Sequence, residues 1–141
     1  MKGVTINKVL KGWLEVWPSH DAPALAAVFA KDAVYTSMLA GTICGRKAVE
    51  ALYRDWFTAF PDMQFQVDSQ LIHRDRAAIL WSQTGTHTGE FCGLSGTGRI
   101  FVLPGSFFMT FKDGQIVHMR SIYDFSGLLL QLGLLRAKPA V

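Results

Sequence analysis

The N-terminal part of the sequence places apolar residues at helical spacing. They recur from Thr5, which can serve as an N-cap, to Trp17, and Pro18 ends the pattern. Asp21 can cap a second, shorter helix. The predicted apolar side of this second helix consists of Leu25, Val28 and Phe29. Two helices are therefore predicted before an extended segment that begins at Asp32.

The clearest predicted helix follows a pair of short strands. The strands, at 33–38 and 42–44, flank a turn at Ala40-Gly41. Gly45 introduces the helix and Pro61 ends it. Its apolar face carries six side chains, Val49, Leu52, Tyr53, Trp56, Phe57 and Phe60. This stripe predicts that the helix packs against the rest of the protein along one side.

Beyond Pro61 the period changes from helical to alternating. Apolar residues at 63, 65 and 67 alternate with polar ones, and the chain keeps strand character up to Tyr123. The predicted strands are separated by a polar turn at 73–76, a glycine-rich loop at 89–98 and the hairpin dipeptide 113–114, and residues 104–105 predict a bend or bulge. A short apolar helix at 126–135 follows. This order predicts an α+β fold, with helices on one face of a curved antiparallel sheet.

The last predicted hairpin has two alternative registers, and each exposes a different set of side chains. A two-residue loop, Asp113-Gly114, would place the apolar residues at 107, 109 and 111 on the same face as His118 and Arg120. A three-residue loop at 112–114 places Phe107, Met109 and Phe111 beside Val117, Met119, Ser121 and Tyr123. We prefer the second register because its inner face is coherent. The outer face then carries Ser106, Phe108, Thr110, Ile116, His118, Arg120 and Ile122.

The composition is that of one globular domain, spanning 1–141. Half of the residues (50%) are hydrophobic and 18% are charged, which is too apolar for a disordered chain. The net charge of +3 comes from scattered basic residues, so a nucleic-acid partner is not expected. Cys44 and Cys92 form neither a disulfide framework nor a metal-binding motif. With no signal-peptide pattern and no apolar run long enough to span a bilayer, we expect a soluble, cytoplasmic protein without membrane association.

Several short segments in the second two-thirds of the chain are similar to those of one family. They are 59–62 (AFPD), 85–91 (GTHTGEF), 93–99, 113–116 (DGQI), 124–125 (DF) and 131–133 (QLG). Over about 45–135 this sequence resembles the SnoaL-like polyketide cyclases of the nuclear-transport-factor-two-like superfamily. The resemblance implies a cone-shaped sheet wrapped around N-terminal helices, an enclosed apolar pocket that needs no cofactor or metal, and frequent homodimers.

In the best-known members, the resemblance implies an intramolecular aldol ring closure assisted by an aspartate and a nearby histidine. Counted from the turn at 113–114, the aspartate position is Ser121 and the histidine position is Phe107. A serine without an adjacent base cannot abstract a proton next to a carbonyl at neutral pH, and phenylalanine does not titrate. The family's mechanism is therefore not transferred to this chain.

Four residues remain as candidate catalytic groups. His87 would be a base if it reached the cavity, and its alternative role is to fix a loop at a strand end. Asp124 precedes the last helix, where a carboxylate commonly caps backbone N–H groups, although desolvation at an apolar mouth would make it a base. Tyr35 and Ser121 could donate hydrogen bonds to a carbonyl or phenol of a ligand.

The ligand-binding wall is predicted from the aromatic residues and from the inner face of the last hairpin. It comprises Trp17, Trp56, Trp81, Phe107, Met109, Met119 and Tyr123, and one or two of the tryptophans are expected to border free volume. Two hypotheses follow. The protein acts without a cofactor on a small polycyclic or aromatic, polyketide-like molecule, as a cyclase, isomerase or dehydratase with a non-standard active site. Alternatively, it is a non-catalytic binding or accessory protein for such a molecule.

Overall fold

The computed structural model describes residues 2–136 and 138, with side chains from residue 5 onward. The ends of the predicted domain, residue 1 and residues 137 and 139–141, lie outside this description. The helices are α1 (Lys2–Val16), α2 (Ala22–Ala26), α3 (Arg46–Ala59) and α4 (Phe125–Gln131), with a 3-10 helix at Trp17–Ser19. The strands are β1 (Phe29–Ser37), β2 (Gly41–Cys44), β3 (Gln64–His73), β4 (Arg76–Thr86), β5 (Ile100–Lys112) and β6 (Gln115–Tyr123).

The first two helices differ from the prediction at their ends. Helix α1 begins before Thr5, so Thr5 is not its N-cap. The Asp21 cap is confirmed, because its Oδ1 accepts a hydrogen bond from the N–H of Ala24 at 3.0 Å. Helix α2 ends at Ala26, and Phe29 already belongs to β1. Phe29 and Leu25 are both fully buried. Their spacing of four residues therefore arises because both side chains enter the same core, and not because they lie on one helix.

The six strands form one sheet in the order β2-β1-β6-β5-β4-β3. Strands β1 and β6 run parallel, with Tyr35 opposite Met119 and Ser37 opposite Ser121, whereas the other neighbouring strands are antiparallel. The curved sheet is therefore mixed, and the prediction of an antiparallel sheet needs correction at this one pair of strands. Most of the chain lies between β1 and β6, so no hairpin turn imposes the antiparallel direction on this pair.

The register of the last hairpin combines features of both alternatives. The loop has two residues, Asp113 and Gly114, both with positive φ (51° and 75°), which is the conformation of a tight hairpin turn. Thr110 pairs with His118 and Phe111 pairs with Ile116, so Val117 is an extra, bulged residue. The bulge reverses the alternation between the turn and the rest of β6. As a result, Ile116 is buried, contrary to the prediction, and Val117 is only half-buried.

Beyond the bulge the predicted inner face is confirmed. The buried residues of this face are Phe107, Met109 and Phe111 on β5 and Met119, Ser121 and Tyr123 on β6. On β4 the same side carries Ile79, Trp81 and Gln83, which are also buried. Strand β5 runs without a bulge through 104–105, and Gly105 lies opposite Trp81, where a Cβ would come within 2.4 Å of the indole. Gly105 therefore makes room for an inward-facing tryptophan.

Strand β3 is one of the two edge strands and is more exposed than its alternating pattern predicts. Phe65 is half-buried and Val67 is exposed, and the pairing with β4 shifts between Val67 and Ser69. The well-buried part of the sheet is thus β1, β6, β5 and β4. Among the described residues, no helix is both long enough and apolar enough to cross a membrane.

Candidate functional site

A small internal cavity lies between the helices and the inner face of the sheet. Its volume is about 30 Å³. Seven aromatic residues line it, Trp17, Tyr35, Tyr53, Trp56, Trp81, Phe107 and Tyr123. The remaining lining residues are Ser37, Leu52, Met63, Gln83, Leu103 and Ser121. The 3-10 helix, α3 and four strands therefore all contribute to one wall.

The cavity is much smaller than a typical ligand site. A volume of about 30 Å³ has room for one or two water molecules, whereas small-molecule pockets usually measure about 300–1,000 Å³. Aromatic side chains pack closely around the cavity: Trp17 stacks on Phe65 with ring centres 4.4 Å apart, and Phe65 stacks on Phe107 at 5.8 Å. A polycyclic ligand therefore requires these rings to move, and a ligand-sized pocket stays a prediction.

The polar groups of the wall are neutral. Among the described residues that line the cavity there is no carboxylate and no imidazole. Burial raises the pKa of Tyr35 to about 12, against the opposing effect of hydrogen bonding with Ser121. Burial also raises the pKa of Tyr53 and of Tyr123, and the neighbouring Tyr35 adds to both shifts. The three phenols therefore stay protonated at neutral pH and act as hydrogen-bond donors.

The two positions to which the resemblance assigns an aspartate and a histidine lie next to each other. Phe107 and Ser121 are directly opposite across β5 and β6, and both line the cavity. Tyr35, a third sequence candidate, lies beside Ser121, since hydrogen bonding between the two lowers the pKa of the tyrosine. The structure thus brings together Tyr35 and Ser121 at the place where the family's reaction centre is expected.

His87 is buried but does not line the cavity. Its Nδ1 accepts a hydrogen bond from the N–H of Thr97 at 3.3 Å and lies 3.1 Å from the Thr97 hydroxyl. The ring packs beside Phe60 and Phe91, with ring centres 5.7 and 6.2 Å away. The backbone of His87 also pairs with Arg99 and Gly98 on the far side of the glycine-rich loop. These contacts favour the role of holding that loop over a role in proton transfer.

Asp124 also lies away from the cavity wall. Its Oδ1 accepts a hydrogen bond from the N–H of Gly127 at 2.9 Å, and the residue caps α4 at an exposed position. This arrangement is the capping alternative considered for Asp124. Among the described residues, no group of three or more His, Cys, Asp or Glu side chains is arranged to hold a metal ion.

Most of the predicted ligand-binding residues meet at the cavity, including three tryptophans instead of one or two. Trp17, Trp56, Trp81, Phe107 and Tyr123 line it. Met109 and Met119 do not, because both are fully buried in the layer of the core that lies further along the sheet toward the hairpin. Sequence reasoning missed Tyr53, although this residue belongs to the predicted apolar stripe of α3. A tyrosine in such a stripe brings a hydroxyl into the core, and this was the available signal.

The comparisons with known proteins agree on one family. The family model of the SnoaL-like polyketide cyclases matches residues 7–132. A curated relative, the aklanonic acid methyl ester cyclase AcmA of Streptomyces galilaeus, is 41% identical over 49 residues. That match covers 35% of this chain and only 34% of the relative.

Two solved structures are similar over most of their length. AclR from Streptomyces galilaeus, described as a putative hydroxylase, has a TM-score of 0.82 at 26% identity and is matched over 97% of this chain and 90% of its own. IdmH from Streptomyces antibioticus, described as a putative polyketide cyclase, has a TM-score of 0.76 at 27% identity, with 91% and 98% covered. These similarities confirm the nuclear-transport-factor-two-like fold with its curved, open sheet. With its family model matched over 7–132, the chain belongs to the SnoaL-like polyketide cyclase family.

Proposed function

We propose that this protein binds a small polycyclic or aromatic, polyketide-like molecule in its internal cavity and promotes ring closure, isomerisation or dehydration without a cofactor. The observation that carries the proposal is the neutral wall around Tyr35 and Ser121, at the position of the family's reaction centre. Membership of a cyclase family and the partial match to AcmA support the ring-closing form of this activity.

The chemistry available to this wall is positioning combined with hydrogen-bond donation. Holding two parts of one molecule in contact removes much of the entropy cost of ring closure. The Tyr35 hydroxyl, with its pKa raised to about 12, donates to a carbonyl oxygen and stabilises the charge that develops there. In an aldol closure, an enol carbon attacks the carbonyl carbon while the enol O–H breaks. Its proton reaches the new alkoxide oxygen through the Ser121 and Tyr35 hydroxyls, which can accept and donate in turn.

The same neutrality favours a second candidate, a protein that binds such a molecule without converting it. No general base among the described lining residues can remove a proton from a carbon of low acidity. A substrate that does not enolise readily would therefore be held but not converted. Binding and conversion must be measured separately to distinguish the two functions.

The deciding experiment uses the full chain with aklanonic acid methyl ester, the compound in the name of the curated relative, as the first candidate. Binding is followed by quenching of tryptophan fluorescence, since Trp17, Trp56 and Trp81 line the cavity. Conversion is followed by mass spectrometry and chromatography. We expect Tyr35→Phe to retain binding and to lower kcat by about 10- to 100-fold, because one donor to the developing oxyanion is lost.

The control is His87→Asn, which alters an imidazole outside the wall and should leave kcat within about twofold, below 0.5 kcal/mol in barrier height. Binding by the wild-type chain without conversion of this compound or related polyketide ketones would support the binding protein instead. If none of these molecules binds, both forms of the proposal are wrong.

We further propose that the outer face of the sheet forms a homodimer. Four large apolar side chains on this face are exposed: Leu80, Val102, Phe108 and Ile122. Pairing two such faces would remove an apolar patch from water. Sedimentation should show a dimer that dissociates on dilution, and Phe108→Glu should shift the protein to the monomer. A monomer at all concentrations would contradict the proposal.

A further inference from the structure

A second concave space lies directly outside the internal cavity. This outer groove is open to solvent and has a volume of about 480 Å³. It is lined by the turn at 39–40 between β1 and β2, by one side of α3 and by residues 90–93 of the glycine-rich loop. Leu52 and Trp56 of α3 line both the outer groove and the internal cavity. The two spaces are therefore neighbours that share part of one wall.

The indole of Trp56 separates the two spaces. On the cavity side, its ring centre lies 5.8 Å from that of Tyr123, which lines the cavity. On the groove side, it lies 5.2 Å from the ring centre of Phe91, which lines the outer groove. Trp56 is half-buried, whereas Trp17 and Trp81, the other tryptophans of the cavity wall, are buried. Trp56 is therefore the tryptophan of the cavity wall that lies at the boundary with solvent.

The tip of the glycine-rich loop, residues 90–95, covers Trp56 with one buried side chain. Phe91 is 4% exposed, and the other five residues of the tip are exposed. With the described residues, the backbone of the tip makes two hydrogen bonds, and both join Phe91 to Leu94. Between these two residues, Cys92 and Gly93 have positive φ angles of 52° and 76°, as in a tight hairpin turn. The tip is therefore a small hairpin that the ring of Phe91 attaches to the rest of the protein.

The base of the same loop is fixed more firmly than its tip. The N–H groups of Thr88 and Gly89 both donate to the carbonyl oxygen of Ala59, at 3.1 and 3.0 Å. A Cβ on Gly89 would overlap the carbonyl oxygen of Thr58, and a Cβ on Gly96 would overlap that of Thr88. Backbone segments packed this closely leave little room for movement at the base. A segment with exposed backbone and few buried contacts opens more easily, so movement of this loop is confined to its tip.

A ligand cannot reach the internal cavity unless some part of its wall moves. A volume of about 30 Å³ admits no polycyclic molecule, whereas the outer groove falls within the range of about 300–1,000 Å³ that small-molecule sites usually have. On the side of the sheet, the cavity is closed by four strands that are hydrogen-bonded to their neighbours, so entry there would break the sheet. Displacement of Phe91 and Trp56 joins the outer groove to the cavity and leaves the sheet intact. The side of the outer groove is therefore the least costly way in.

We propose that the outer groove is the entry route to the internal cavity, and that Trp56 and Phe91 form its gate. The tip of the glycine-rich loop moves outward with Phe91, and Trp56 then turns into the space that the phenylalanine ring leaves. The inference rests on the proposed function, because a gate serves a cavity that takes up a ligand. It goes beyond that function by giving the glycine-rich loop a role. An entry route sets the rates of binding and release and not the affinity, since the free and bound states stay the same.

The two native cysteines allow the outer groove to be blocked from outside, because both thiols are exposed. Cys92 lines the outer groove, whereas Cys44 ends β2 and lines neither the groove nor the cavity. N-cyclohexylmaleimide is attached to Cys92 in a Cys44→Ser chain. The matched control carries the same label on Cys44 in a Cys92→Ser chain. Labelling is done at mildly alkaline pH, since burial raises the pKa of the Cys92 thiol.

Stopped-flow quenching of tryptophan fluorescence by aklanonic acid methyl ester gives the rates of association and release. Each labelled chain is compared with its own unlabelled form. We expect the label on Cys92 to lower both rates by at least about 10-fold and to leave Kd within about threefold. The label on Cys44 should leave both rates within about twofold. Equal effects of the two labels on the rates, or a Cys92 label that changes Kd but not the association rate, would show that the groove is not the entry route.

A second variant opens the gate and needs no ligand for its measurement. Phe91→Ala removes the ring that holds the tip, and the loss of one aromatic contact shifts an opening equilibrium by about 3- to 10-fold. Acrylamide quenching is measured in a Trp56→Phe background, where the remaining indoles, Trp13, Trp17 and Trp81, are all buried. The quenching rate constant should rise by at least about twofold.

The matched control for this variant is Phe111→Ala in the same background. Phe111 is also 4% exposed, but it lies at the hairpin end of β5 and lines neither the outer groove nor the cavity. If both variants raise quenching equally, the effect is a general loosening of the core and the gate is wrong, while the proposed function stands. If the wild-type chain binds no ligand but quenching rises only in Phe91→Ala, the proposed function fails and the gate to the cavity is supported.

Discussion

The polar side chains of the cavity wall differ in their hydrogen bonding from those of the rim, which is formed by the strand ends and the adjoining loops. At the rim four polar side chains bond to nearby backbone or to a hydroxyl, in the pairs His87 with Thr97, Asp62 with Thr86, Asp124 with Gly127 and Gln131 with Val102, and only Nε2 of His87 in this set is buried without a partner. In the wall four donors have no partner. The histidine and the two carboxylates of the rim stabilise loops and a helix end, and the polar groups of the cavity wall include phenols and indoles. Reactive residue types therefore do not mark the functional region of this protein.

The largest expected effect comes from placing a titratable group in the neutral wall. Ser121→Asp buries a carboxylate that has no cation beside it among the described lining residues, and this should lower the free energy of unfolding at neutral pH by about 3–5 kcal/mol. The folded-state pKa of this Asp would be raised. The penalty is therefore absent below about pH 4, where both states are protonated, and grows as the pH rises toward the folded pKa.

Urea unfolding at several pH values checks this prediction, and Ser121→Asn is the matched control. The Asn side chain has nearly the same size and no charge, so the difference between the two variants isolates the carboxylate. The same Asp should also give a pH-dependent proton-transfer activity on an activated carbonyl compound, because it restores a base at the family's position. A difference that does not vary with pH, or no gained activity, would contradict the inward placement of Ser121.

The sequence predicted the order of the elements and most of the inner face. The apolar stripe of α3 and the alternation in β4 and β5 are set by short-range periodicity, and short-range periodicity is visible in one sequence. The parallel pairing of β1 with β6 was not predictable, because it joins segments separated by most of the chain. The bulge at Val117 was missed because the two-residue turn and the apolar face are compatible only if one residue is inserted into β6, and neither predicted register contains an insertion there.

The sequence predicted where residues of the candidate site lie, but it did not predict which of their polar atoms have hydrogen-bond partners. Counting from the turn located Phe107 and Ser121 correctly on one wall, since the alternation of β5 and β6 is regular over that stretch. The sequence could not show which donors remain unpaired, because pairing depends on atoms from several elements. It also suggested an enclosed apolar pocket large enough for a ligand. The structure shows a cavity of only about 30 Å³, beside which Trp17 stacks on Phe65, a contact between the 3-10 helix and an edge strand.

The second largest expected effect concerns His87, whose contacts hold the glycine-rich loop at the rim. His87→Ala removes a fully buried ring together with the acceptor for Thr97, and we expect a loss of about 2–4 kcal/mol in the free energy of unfolding. His87→Asn keeps an acceptor near the position of Nδ1 and should recover part of that loss. Chemical denaturation measures both. If His87→Ala left stability unchanged but abolished ligand conversion, the structural role of His87 would be wrong.

A third, smaller effect concerns the two exposed hydrogen bonds that Thr86 donates to the Asp62 carboxylate. The carboxylate accepts from the Thr86 N–H at 2.7 Å and from its hydroxyl at 2.6 Å, and these bonds lower the pKa of Asp62. The stabilisation is therefore present above the unfolded-state pKa, near pH 4, and is lost as the pH falls through the lower folded value. Asp62→Asn should lower stability at pH 7 by about 1 kcal/mol or less, because the clamp is exposed to solvent. The difference from wild type should shrink below about pH 4 in thermal unfolding, and a constant difference would rule out this origin.

The smallest expected effect is the change in stability on substitution of Tyr53, and it tests whether the cavity wall contains a hydroxyl without a hydrogen-bond partner. Tyr53 is buried and its hydroxyl has no partner, so Tyr53→Phe removes a desolvated group and breaks no hydrogen bond of good geometry. We expect the free energy of unfolding to stay within about 0.5 kcal/mol of wild type, or to rise. Tyr35→Phe is the matched control, because the Tyr35 hydroxyl bonds with Ser121 and its loss should cost about 1 kcal/mol. Urea unfolding of the two variants side by side distinguishes a hydroxyl whose hydrogen bond stabilises the folded protein from one that makes no such bond. If Tyr53→Phe costs as much as Tyr35→Phe, the Tyr53 hydroxyl is already satisfied in the folded protein and is not available to a ligand.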